Sequence, residues 1–155
     1  MRPVRTRRRV LESLAKTKAL LDVRADSRLQ HHALSEAVLH QIDATFVALV
    51  RQVGDAHGFK PESIQSLEDL FDQLRSRQLV SLEAQQLERL ANDPMSWWNA
   101  YQAHAAQILC PAEVIDSVDV NRIPLIDTSG LDQLKTERYA SWVSELSTLV
   151  ADLQA

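Results

Sequence analysis

His32, Glu36 and His40 are the residues of this chain whose types and spacing come nearest to a metal site. They lie four residues apart, so they share one face of a helix. Imidazole and carboxylate groups bind transition metals, and metal-binding helical bundles place Glu and His inward at similar steps. Those bundles repeat a Glu-x-x-His step on two helices, whereas no second segment here supplies partner ligands. The sequence therefore favours a solvated or hydrogen-bonded helix face, with a metal-binding bundle as an alternative, and we expect no cofactor.

A dense group of arginines lies at the N-terminus and is suited to binding phosphate groups. Its members are Arg2, Arg5, Arg7, Arg8 and Arg9. Residues 1–28 hold nine basic and three acidic side chains, a net charge of +6, whereas residues 29–155 hold eight and eighteen, a net charge of −10. Such a basic segment binds nucleic acid weakly and with strong salt dependence, or it contacts the acidic remainder of the chain. The sequence favours a frayed, solvated arm over residues 1–9 or an internal ion-pair partner, with a nucleic-acid or anion-binding adaptor as an alternative.

Aromatic residues cluster at helical spacing in the C-terminal half of the chain, at Trp97, Trp98 and Tyr101. Most such residues belong to a hydrophobic core. Neighbouring residues point about 100° apart around a helix, so Trp97 and Trp98 cannot both face the same way. The sequence predicts an aromatic or apolar patch near Trp98 that contacts a partner.

Signals for catalysis are weak in the sequence. Three glycines provide no phosphate-binding loop, and no nucleophile elbow is present. The single cysteine, Cys110, excludes an internal disulfide and a zinc site built from several thiolates, and it is typical of the cytoplasm. We therefore expect a protein that is not an enzyme.

The elements that position these residues are predicted to be helices. From Leu34 to Val53, apolar residues recur at steps of three and four, the period of a helix that buries a broad face. Four further segments show a similar period, and no convincing strand alternation occurs. A length of 155 residues suits one domain. The sequence thus predicts an all-α, single-domain bundle of five to six helices.

Capping residues and prolines predict where these helices begin and end. The first helix spans about residues 5–23, and Asp26 or Ser27 caps a second that stops before Gly58. Ser66 and Ser81 open the next two, and Leu82 is expected to face inward. A fifth helix is predicted to start at Asp93-Pro94. A long irregular segment is predicted over residues 111–134, and it packs Ile123-Pro124-Leu125-Ile126 on the bundle. Thr136 is predicted to cap the last helix.

Four pieces of the chain, taken in order, resemble a family of small bacterial proteins known only as a domain of unknown function. These pieces are Glu36–Leu39, the Ser81–Trp97 run ending in Asp93-Pro94-Met95-Ser96-Trp97, the Ile123–Ile126 segment, and Leu134–Trp142. The resemblance implies an all-helical, bacterial, cytoplasmic protein without an assigned activity or cofactor. It also counts against the metal site, because the family lacks a histidine pair at the positions of His32 and His40.

Together these observations predict a non-enzymatic protein–protein interaction module, which binds a protein partner or a second copy of itself. We expect no membrane span, since no uninterrupted apolar run approaches the roughly 18–20 residues that cross a bilayer.

Overall fold

The longest helix is central to the architecture. The structure, a computed structural model, describes residues 4–110 and 137–155, which form six α-helices and one 3₁₀ turn without any strand. The all-α prediction is therefore confirmed. The helices are α1 (Val4–Asp22), α2 (Arg28–Ala56), α3 (Leu67–Ser76), α4 (Leu82–Asn92), α5 (Trp97–Leu109) and α6 (Glu137–Gln154), and the 3₁₀ turn is Pro61–Ser63. The predictions for residues 111–134 and for Thr136 lie outside the described residues.

Helix α2 contacts each of the other five helices and the 3₁₀ turn. Its apolar stripe supplies the middle of the core, where Leu39, Ile42 and Leu49 are fully buried. By length and composition alone, α2 would also suffice to cross a membrane, but half of its apolar window is buried within the fold, as in the core helix of a helical domain. The expectation that the chain has no membrane span stays a prediction.

Helices α1 and α2 meet along a seam of small polar residues. The hydroxyls of Ser13 and Thr45 lie 2.7 Å apart, and the Thr17 hydroxyl donates to the Ser13 carbonyl at 2.8 Å. All three residues are buried. Since each hydroxyl has a partner, the seam brings two helices close together without leaving a buried polar group unpaired.

Serine caps and one glycine set most of the helix ends as predicted. The hydroxyls of Ser27, Ser66 and Ser81 each accept a hydrogen bond from a backbone N–H in the first turn of the following helix. Gly58 ends α2 with a φ of 83°, a conformation that favours glycine. The N–H groups of Gly58 and Phe59 donate to the carbonyls of Asp55 and Gly54, the pattern of a Schellman motif.

The start of the fifth helix was predicted incorrectly. α5 begins at Trp97 with Ser96 as its cap, not at Asp93-Pro94. The Asp93 carboxylate instead accepts from the N–H of Met95 at 2.9 Å. The amide of Asn99 donates to the carbonyl of Asp93 at 2.6 Å. These bonds hold residues 93–96 as a turn, because Asp can close a local turn as readily as it can cap a helix.

The inward placement of Leu82 was also wrong, since its side chain is 74% exposed. Ser81, Ala84 and Leu87 are the buried residues of this region. Their spacing of three fixes the inward face of α4 and turns Leu82 about 100° away from it. Leu79 and Val80, which precede it, are exposed as well.

Candidate functional site

Two members of the predicted aromatic patch, Trp98 and Tyr101, are core residues. Each is 3% exposed. The Trp98 ring stacks on Phe46 of α2 with 3.9 Å between ring centroids, and the Tyr101 hydroxyl donates to the Leu39 carbonyl at 2.7 Å. The inward face of α5 therefore carries these two rings against α2. This packing buries Trp98 itself, so the interaction patch near it stays a prediction. Trp97, which meets Trp98 edge-on, is the more accessible of the two indoles.

A groove lies beside this stack, where α2, α3, α4 and α5 leave a volume of about 530 Å³ between them. Apolar side chains from all four helices line it, although Trp98 exposes little of its ring. These apolar residues are Phe46, Val47, Leu67, Phe71, Ala91 and Trp98. Surfaces of this kind bind side chains of a partner, because they offer apolar area within a concave shape.

Carboxylates dominate the charged lining of the groove. Asp43, Glu68 and Glu88 contribute three acidic groups, and Arg75 is the basic residue among the lining side chains. Arg75 donates to Asp72 within α3, so a neighbouring acid already compensates its charge. A ligand in the groove therefore meets a net negative field next to an apolar surface.

Asp43 stands at the side of the groove formed by α2. Desolvation of its carboxyl by the surrounding protein raises the pKa of Asp43, and His40 partly opposes this by lowering it. The side chain of Asp43 is nevertheless exposed, so a cationic group of a ligand can reach its carboxylate from solvent. Asp43 is thus well placed to bind an amine or guanidinium of a ligand.

The weak metal candidates lie on α2 as the spacing predicted, but they do not form a three-ligand group. Nε2 of His32 lies 2.9 Å from the Glu36 carboxylate in a half-exposed pair. Nδ1 of His32 is buried and has no hydrogen-bond partner among residues 4–110 and 137–155. Within those residues, no three His, Cys, Asp or Glu side chains are arranged to hold a metal ion.

The N-terminal arginines do not act as one surface. Arg5 and Arg9 face a pocket together with Arg51 of α2, which sequence spacing gave no reason to include. Arg8 forms an exposed ion pair with Glu12 at 2.9 Å, and Arg7 is exposed. Arg2 lies outside the described residues.

A buried titratable pair, His104 and Tyr139, was missed by sequence reasoning. Nε2 of His104 and the Tyr139 hydroxyl are 2.7 Å apart, and both rings contact Trp142. Burial lowers the pKa of His104 and raises that of Tyr139, so both stay uncharged near neutral pH. Because both residues are buried and hydrogen-bonded to each other, we assign the pair a structural role.

Comparison with known proteins returned no matching family model, curated protein or solved structure. The resemblance to a bacterial family of unknown function therefore stays a prediction.

Proposed function

We propose that this chain is a non-enzymatic interaction module whose groove binds a basic, amphipathic segment of a protein partner. The observation that carries the proposal is the placement of Asp43, Glu68 and Glu88 around one apolar groove. Location in a bacterial cytoplasm is part of the same proposal.

Charge complementarity selects the occupant. Amphipathic peptide helices bind by laying an apolar face into a groove between helices, with flanking charges that fix the orientation. Here, Val47 of α2 and Phe71 of α3 supply accessible apolar surface, while the flanking charges are acidic. Lys or Arg on the peptide would meet these carboxylates, and Leu or Phe would contact the aromatic rings.

The groove favours binding over catalysis. Its ionisable lining groups are three carboxylates and one arginine, and no histidine or cysteine of the described residues lines it. Such a set can attract and orient a cation. It supplies no activated nucleophile.

A direct test uses fluorescence anisotropy with a fluorescein-labelled helical peptide that carries Leu on one face and Lys on the opposite face. We expect saturable binding that weakens as salt rises, because the carboxylates are near the surface. Replacing Lys by Glu, or Leu by Ser, in the peptide should abolish it. Asp43→Asn combined with Glu88→Gln should weaken binding about tenfold, because this is roughly the binding free energy that two exposed ion pairs contribute.

The matched control removes two carboxylates that do not line the groove, with Asp22→Asn and Glu137→Gln. These substitutions change net charge equally but should alter affinity less than about twofold. Equal weakening in both double variants would show non-specific attraction to an acidic protein and would refute the proposal. A second result would also refute it. In that case the peptide does not bind, light scattering shows that the chain associates with itself, and the groove variant abolishes this self-association.

A further inference from the structure

A second concave surface lies on the other side of Val47, which lines both it and the acidic groove. Its volume is about 500 Å³, and it is enclosed by α1, α2 and the start of the 3₁₀ turn. The lining residues from α1 are Arg5, Thr6 and Arg9, with Ala44, Val47, Ala48 and Arg51 from α2 and Pro61 from the turn. We call this surface the arginine pocket.

Three guanidinium groups line the arginine pocket, and its lining contains no acidic residue. None of Arg5, Arg9 and Arg51 forms an ion pair with a carboxylate in the part of the chain that the structure describes. The Asp55 carboxylate, which does not line the pocket, accepts a hydrogen bond from the hydroxyl of the lining residue Thr6 at 2.7 Å. Three like charges held around one concavity repel each other, and an anion between them would relieve that repulsion.

Arg51 is the most firmly positioned of the three. It is half-buried on α2, and its Nε donates to the Ile64 carbonyl at 2.7 Å. That bond fixes the plane of the guanidinium and leaves the terminal amino groups for another acceptor. Planar guanidiniums with two N–H groups aimed the same way match the oxygens of a phosphate.

From this geometry we infer that Arg5, Arg9 and Arg51 bind the phosphate group of a small phosphorylated molecule. The apolar side chains Ala44, Ala48 and Pro61 would contact the body of that molecule. The volume suits a small ligand. A nucleic-acid backbone would instead use all the exposed arginines of α1 along its length, whereas only two of the four described ones reach the pocket.

The binding test uses the intact chain, labelled with ¹⁵N, and follows the arginine Nε–Hε signals by NMR during titration. Phenyl phosphate, inorganic phosphate and phenol are the three probes. We expect saturable shifts of the Arg51 signal with phenyl phosphate. Inorganic phosphate would give the same shifts if the free ion is the ligand, and tighter binding of phenyl phosphate would identify an organic phosphate. Phenol should produce no shift.

Variants locate the binding. Arg5→Gln and Arg9→Gln remove exposed side chains and should leave the helical circular dichroism intact, while each weakens phosphate binding at least about fivefold, as expected for a charge-assisted hydrogen bond. Arg7→Gln is the matched control, because it removes the same charge from the same helix outside the pocket. It should change the affinity less than about twofold.

Three results would overturn the inference. They are no saturable shift with either phosphate probe, equal weakening by Arg7→Gln and Arg9→Gln, and binding of duplex DNA with an affinity that depends equally on all four arginines of α1. The last two would indicate a diffuse basic surface rather than a pocket.

Discussion

His104 of α5 and Tyr139 of α6 share a hydrogen bond of 2.7 Å inside the aromatic core. His104 is 4% exposed, and its ring also contacts Trp142. The pair joins two helices whose connection, residues 111–136, lies outside the described part of the chain. Burial at this position disfavours the charged form of the His104 imidazole.

Acidification should therefore destabilise the protein through His104. Burial, with a smaller contribution from the nearby Arg138, holds the pKa of His104 below its ordinary value. The unfolded chain thus binds a proton more readily, and stability is lost as pH falls from about 6.5 toward the lower pKa of the folded state. Urea unfolding at several pH values should show this slope, and it should be smaller in His104→Gln, which cannot titrate. Equal slopes in the two proteins would contradict the assignment.

The two adjacent tryptophans should respond very differently to truncation. Trp98→Ala empties a site between Phe46 and Tyr101 and should cost about 3–5 kcal/mol of unfolding free energy, as for other buried aromatic residues. Trp97→Ala removes a partly exposed ring and should cost about 1–2 kcal/mol. Chemical denaturation of both variants measures the difference. Similar losses would mean that Trp97 is as much a core residue as Trp98.

The seam between α1 and α2 should show coupling between Ser13 and Thr45. Either substitution alone, Ser13→Ala or Thr45→Val, leaves a buried hydroxyl with fewer partners and should cost about 1–2 kcal/mol. The double variant should cost less than the sum, because it removes both hydroxyls. A double-mutant cycle of unfolding free energies tests this, and strict additivity would show that the two hydroxyls do not interact.

A Cβ at the glycine that ends α2 should be mildly destabilising. Gly58 has a φ of 83°, where alanine is strained by about 1 kcal/mol. No other group lies within contact distance of that position, so the cost is conformational rather than steric. Gly58→Ala should lower the thermal midpoint, whereas Gly58→Asn should lower it less, since asparagine adopts this conformation more readily. Equal shifts would argue for another cause.

Sequence reasoning captured what depends on local patterns. Helical periodicity predicted α2, and serine caps predicted the starts of α2, α3 and α4, because these signals lie within a few residues of each other. It failed at Asp93, where a cap and a turn use the same side chain, and at Leu82, where the phase of α4 is set by its neighbours. The first error arises because one side chain can take two local roles, and the second because tertiary packing decides which face of α4 points inward.

The candidate sites were harder to predict, because their residues are distant in sequence. Asp43 and Glu88 come from different helices, and Arg51 joins Arg5 only through the packing of α1 on α2. No spacing rule links such residues. The aromatic pattern at Trp97 and Trp98 was visible in the sequence, but which of the two faces the core depends on the position of α5 over α2.

The contacts of α2 with all its neighbours have a consequence for dynamics. A peripheral helix can detach while the remainder holds, but the buried middle of α2 should open only together with most of its interfaces. Backbone amides near Ile42 and Leu49 should thus exchange with deuterium only when the entire molecule denatures. The α1 terminus, which has one main neighbour, should exchange far sooner.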